Sequence, residues 1–125
     1  MSSGGALKFL VVDDSATIRK MIMTALRPLH ANFREASSGL EAIEQLMLST
    51  YDVVTLDLNM PDMHGLEFLQ FVRNHNAFKE IPIVVITTRA DAQMRETVLS
   101  AGANRYMTKP FSPEAILETV KDLLA

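Results

Sequence analysis

At 125 residues, with 48% hydrophobic and 22% charged side chains and a formal charge of -3, the chain suits one domain with a single core and is too short for two. No block of like charge suggests a nucleic-acid surface, and the absence of cysteine removes disulfides, thiolate metal sites and thiol nucleophiles together. The longest apolar runs, FLVV and IVVI, have strand length, and no charged-then-apolar leader opens the chain, so a soluble, cytoplasmic protein is expected.

MSSGGA, residues 1–6, is small and polar and reads as a flexible tail, leaving one domain over 7–125. From Leu7 short β-rich runs alternate with longer amphipathic ones, the pattern of βα units on a parallel sheet. A first strand over 7–12 leads to a helix over 15–27, with Ile18, Met21, Ile22, Ala25 and Leu26 as its apolar stripe, stopped by Pro28. Residues 32–36 suit a short second strand. Ser38 and Glu41 predict a capping box for a helix to Leu48, whose inward stripe is read as Leu40, Ile43, Leu46 and Met47. Met21, Met23 and Met47 are read as core filler.

Strand three is DVVTLD, 52–57, followed by the turn-rich loop LNMPDMHG and a helix over 66–74. Strand four, 81–87, carries its proline at the entry, where a missing ladder donor matters least. A helix over 91–101 ends at Gly102, a suitable left-handed C-cap. Strand five is RYMT, 105–108. Ser112 caps and Pro113 opens a last helix that turns Ile116, Leu117, Val120 and Leu124 inward.

In an open parallel sheet, ligands bind beyond the carboxyl ends of the strands. There strand one offers Asp13 and Asp14, strand three Asp57 and then Asn59, strand four Thr87 and Thr88, and strand five leads to Lys109. If strands one and three are neighbours about 4.8 Å apart, three carboxylates converge on one small volume. At ~4 Å and an effective dielectric of about 20, each like-charged pair costs roughly 4 kcal/mol, so the cluster calls for a cation. Its oxygen-only donors favour Mg2+ or Mn2+.

Taken singly, an Asp at 13 or 14 reads as a helix cap, Asp57 as a carboxylate bonding loop amides, and Lys109 as a solvated surface lysine. Their joint placement at the strand ends points to a site. His30, His64 and His75 lack ligand-like spacing and are assigned surface or loop roles. With neither a GxxxxGK[ST] loop nor a GxGxxG turn, a nucleotide is not favoured. One carboxylate could instead attack phosphorus and become an aspartyl phosphate, its charge stabilised by metal and lysine.

VVDDS at 11–15, DLNMPDMHG at 57–65, ITT at 86–88 and YMTKPF at 106–111, in this order, closely resemble the receiver domain of bacterial two-component response regulators, and among them the stand-alone chemotaxis type. The similarity runs from Leu7 onward. It implies a single-domain, doubly wound α/β fold with five parallel strands in the order 2-1-3-4-5, flavodoxin-like (CheY-like). It implies Asp57 as the phosphoacceptor, taking a phosphoryl group from a phosphohistidine on a sensor histidine kinase or a phosphotransfer protein. Asp13, Asp14, Asp57 and the main-chain carbonyl of Asn59 would hold Mg2+.

By the same resemblance, Thr87 would bond the phosphoryl group, Lys109 would pair with it, and Tyr106 would turn inward as Thr87 moves. The Lys109–Pro110 bond would be cis. The output would be binding to a protein such as a flagellar motor switch component, by a monomer that catalyses only its own phosphorylation and dephosphorylation. No direct nucleic-acid contact or membrane insertion is implied. Two residues depart from the commonest pattern: Thr88, where a smaller residue is usual, is expected to narrow access to the site, and Arg89 places a charge that could influence attacking water.

The residues leave two rival readings. A metal-dependent phosphatase would also use an Asp nucleophile and Mg2+, but haloacid-dehalogenase-type enzymes carry an Asp two residues later, where this chain has Asn59. The chain could also be the receiver of a longer regulator with a DNA-binding output.

Overall fold

The computed structural model describes residues 6–125; apart from Ala6, the tail expected over 1–6 lies outside the described residues. Five strands, β1 (Lys8–Val12), β2 (Asn32–Ala36), β3 (Val53–Leu56), β4 (Ile83–Thr87) and β5 (Arg105–Thr108), alternate with five helices. The helices are α1 (Ala16–Ala25), α2 (Gly39–Leu48), α3 (Gly65–Asn74), α4 (Ala92–Ser100) and α5 (Pro113–Leu124). All strand pairs are parallel and the order is β2-β1-β3-β4-β5, as the resemblance implied. Among the described residues no helix is long and apolar enough to cross a membrane.

Successive side chains of a strand point to opposite faces, so the apolar runs supply two cores at once. Phe9 and Val11 of β1, with Val53, Val84 and Ile86, pack on Ile22, Ala25 and Leu26 around α1 and on Ile116 and Val120 of α5. Leu10 and Val12, with Val54, Leu56, Ile83 and Val85, pack on Ala42 and Leu46 of α2, on Phe68, Leu69 and Val72 of α3, and on Val98 of α4. The sheet is therefore covered on both sides, and open backbone gathers at the strand ends.

The predicted cap holds for α5, where Ser112 accepts a backbone N–H of the first turn. Ser15, rather than Asp13 or Asp14, caps α1 in the same way, and Asp91 caps α4. Gly102 adopts φ +115°, in the left-handed region. The α2 readings need correction. Ser38 accepts the Glu41 N–H, but the Glu41 carboxylate reaches the Ser37 N–H at 2.6 Å, so the capping box closes one residue early.

The face of α2 is also rotated from the expected one. Gly39, Ala42 and Leu46 are buried, whereas Leu40 and Met47 are 60% and 59% exposed. A Cβ on Gly39 would lie 2.9 Å from Met63, so the start of α2 packs tightly through its small residues and Leu40 and Met47 turn outward. Met21 of α1 is likewise exposed, which leaves Met23, half-buried against the core, as the one of the three methionines that serves as filler.

Candidate functional site

Strand register builds the site. Val12 pairs with Leu56, and one step further the Asp57 N–H donates to the Val12 carbonyl at 3.0 Å while the Asp13 N–H donates to the Ala36 carbonyl at 3.0 Å. Asp13 and Asp57 therefore stand side by side just past the ladder, both buried, with the exposed Asp14 next to them. The three residues each offer a carboxylate oxygen within 4.8 Å of the others. Thr87 pairs with Thr108, and the Lys109 N–H donates to the Thr87 carbonyl at 2.7 Å. The next peptide, Lys109–Pro110, is cis. Lys109 Nζ, at the end of a largely buried side chain, donates to Asp13 Oδ2 at 2.8 Å and stands 3.5 Å from Asp57 Oδ1.

These charges are unequally compensated. Asp13 has both oxygens engaged, one with Lys109 and one with the Ser15 N–H at 2.9 Å. Asp57 is 4% exposed, and its Oδ1 has no hydrogen-bond partner. Burial, and then the Asp13 charge, push the Asp57 carboxyl above its ordinary range, while Lys109 and the Asn59 backbone N–H pull the other way. An orphaned buried carboxylate oxygen among three hard donors fits a divalent cation. Among the described residues the cluster contains no histidine.

Thr87 is fully buried, and its Oγ1 accepts the Arg89 N–H at 3.2 Å. The Arg89 carbonyl accepts the Tyr106 hydroxyl at 2.5 Å, so a β5 side chain is tied to the β4–α4 loop that follows Thr87. Thr88 is exposed and its Oγ1 accepts Asn59 Nδ2 at 3.5 Å, a thin bridge between the loops after β3 and β4. The Arg89 guanidinium pairs with Asp91, the N-cap of α4, at 3.1 Å.

Three residues between β3 and the first turn of α3 gain roles that motif reading left blank. Asp62 accepts the Gly39 and Leu40 N–H groups at 3.0 and 2.9 Å, so the loop carrying Asn59 caps the N-terminus of α2. A Cβ on Gly65 would lie 2.7 Å from the Asp57 carbonyl oxygen, which makes glycine necessary for α3 to start this close to β3. His64 does sit in a loop, as expected, and there it caps α3 by accepting the Leu66 N–H at Nδ1, 3.0 Å. The Asp62 contacts span 22 and 23 residues, which explains their invisibility to local patterns.

The family model of the response regulator receiver domain matches residues 9–121. The chain belongs to this family. This receiver is 42% identical over 120 residues to the chemotaxis protein CheY1 of Helicobacter pylori, covering 94% of this chain and 97% of the relative. It is 37% identical over 114 residues to the sensor histidine kinase CheAY of the same species, covering 90% of this receiver and 14% of the kinase. The structure of the chemotaxis response regulator CheY4 of Vibrio cholerae superposes with a TM-score of 0.88 at 34% identity, covering 95% and 99% of the two chains. The receiver thus functions in phosphorylation-controlled two-component signalling.

Proposed function

We propose that residues 7–125 form one receiver domain in which Asp57 accepts a phosphoryl group from a phosphohistidine on a sensor histidine kinase or phosphotransfer protein, and that the output is chemotactic. The observation that carries this reading is Lys109 Nζ standing between Asp13 and Asp57, with an Asp57 oxygen left free of hydrogen bonds. In the transfer an Asp57 oxygen attacks phosphorus. A P–O bond forms, the P–N bond breaks, and the imidazole nitrogen leaves with the bonding pair and is protonated.

Asp13, Asp14, Asp57 and the Asn59 carbonyl would hold Mg2+, with Mn2+ as a substitute. When bound, the cation supplies positive charge toward the phosphoryl oxygens. Lys109 holds its ammonium where the transferred group gains negative charge. The Thr87 hydroxyl then bonds the phosphoryl group and releases the Arg89 N–H, which disturbs the carbonyl that holds Tyr106. That relay links the buried site to the surface of α4, β5 and α5, where a protein partner such as a flagellar motor switch component would bind. Thr88 and Arg89 tune dephosphorylation, the protein's only other self-catalysed step. A cysteine-free chain suits the cytoplasm, where such relays operate.

Incubation with Mg2+ and acetyl phosphate should add one phosphoryl group to the wild type and none to Asp57→Asn; equal incorporation by both sinks the assignment. Tyr106→Ala should still be phosphorylated but should distinguish less between phosphorylated and resting states in partner binding.

A further inference from the structure

Arg19 belongs to α1, yet it reaches back to the loop that carries the acidic pair. Its side chain is only 14% exposed. Nη1 donates to the main-chain carbonyl of Asp13 at 2.6 Å, and Nε donates to Glu35 Oε1 at 2.9 Å. Glu35 lies on β2 in register with Val11, two residues before Asp13. One guanidinium therefore joins the start of α1, the end of β1 and the end of β2.

The bonded carbonyl is half of the peptide between Asp13 and Asp14. Fixing that carbonyl fixes the peptide plane from which Asp14 departs. Asp13 has other anchors for its side chain in Ser15 and Lys109, whereas Asp14 is exposed and takes its place from the backbone. The planar fork of arginine aims separate N–H groups at the carbonyl and at the carboxylate in one fixed geometry, which the point charge of a flexible lysine does not impose.

We infer that Arg19 is a positioning residue of the acidic site: by clamping the Asp13–Asp14 peptide to Glu35, it sets the Asp14 carboxylate for a divalent cation. This rests on the cation-binding reading above. The inference has a sign that charge alone contradicts. Removing a positive group near a cation site favours cation uptake electrostatically. Losing a group that orients the ligands weakens uptake, by about tenfold or more where such outer partners have been removed from metal sites.

The test is a Mg2+ titration of the full chain without any phosphodonor, followed through the amide resonances of Asp14, Ser15 and Asn59. Arg19→Met should bind Mg2+ about tenfold more weakly than wild type. Arg19→Lys, with its charge kept and its fork lost, should fall between them, and Glu35→Gln should shift the Asp14 amide before any Mg2+ is added. Unchanged or tighter Mg2+ binding by Arg19→Met overturns the inference while leaving the cation-binding reading intact. No Mg2+ response in the wild type overturns both. Should Arg19→Met fail to fold, Arg19→Lys decides, and wild-type affinity in that variant overturns the inference.

Discussion

The two ends of the sheet treat polar side chains in opposite ways. At the amino ends of β4 and β5, Arg73 donates to the carbonyls of Gly102, Ile81 and Lys79 at 2.8 to 3.0 Å and to Asn104 Oδ1 at 3.0 Å. Asn104 Oδ1 also accepts the Ile83 N–H, so this cluster is satisfied by the chain itself. At the carboxyl ends, Asp13 and Asp57 share one lysine, and an Asp57 oxygen has no hydrogen bond. The first arrangement ties loops to strands. The second leaves excess negative charge in a cluster that could hold a cation, so the self-satisfied polar groups and the under-compensated ones lie on opposite rims.

The largest effect that should separate them comes from Lys109→Ala. Removing the shared counter-charge leaves two buried carboxylates and should lower unfolding free energy by about 3 kcal/mol in chelator-treated buffer. Saturating Mg2+ should recover part of that loss in urea melts, and an equal loss with and without Mg2+ would count against charge storage at this rim. Arg73→Ala should cost about 2 kcal/mol through its lost charged hydrogen bonds. That cost should be indifferent to Mg2+, and acetyl phosphate labelling should survive it.

Asp57→Asn should act in the opposite direction, raising stability by about 1 kcal/mol in Mg2+-free buffer at neutral pH because it removes a buried charge lacking a full set of partners. Its pH signature follows from the raised Asp57 pKa. Between the unfolded and folded pKa values the native state binds more protons, so wild-type stability falls as pH rises through that window and levels off above it. The stability difference between Asp57→Asn and wild type should therefore grow with pH over that window; a pH-independent difference would break the comparison.

The smallest effect belongs to Asp62→Ala, which leaves Ser38 as the N-cap of α2 but removes the acceptor of the Gly39 and Leu40 N–H groups, and should cost about 0.5 kcal/mol given its exposed position. Backbone hydrogen bonds from Leu40 and Gly39 hold the Asp62 carboxyl below its ordinary pKa. Its contribution is present above the unfolded carboxylate pKa and is lost as pH falls through the folded one. The penalty of Asp62→Ala in acid urea melts should shrink accordingly.

Much of this was legible in the residues themselves. Alternation of apolar runs with amphipathic ones specified five βα units, since each period matches one backbone geometry. Ser112 announced a helix start because capping is a contact within four residues. The acidic residues stood at strand ends, and once strands one and three are neighbours their carboxylates form a cluster that could hold a cation. What failed was the orientation of α2, where large apolar side chains misled the reading. Leu40 and Met47 looked like core, but Gly39 and Ala42 could approach Met63 and the sheet more closely.

Local sequence determined which segments became strand or helix and which side chains could carry charge to the rim. Tertiary structure alone decided how those charges are shared: Lys109 meets Asp13 across 96 positions of chain, Asp62 reaches α2 across 22 and 23, and Arg19 meets Glu35 across 16. The reason is physical. Periodicity and capping are written in separations of a few residues, whereas partnership among buried charges depends on strand order and register, which arise only when distant segments pack together.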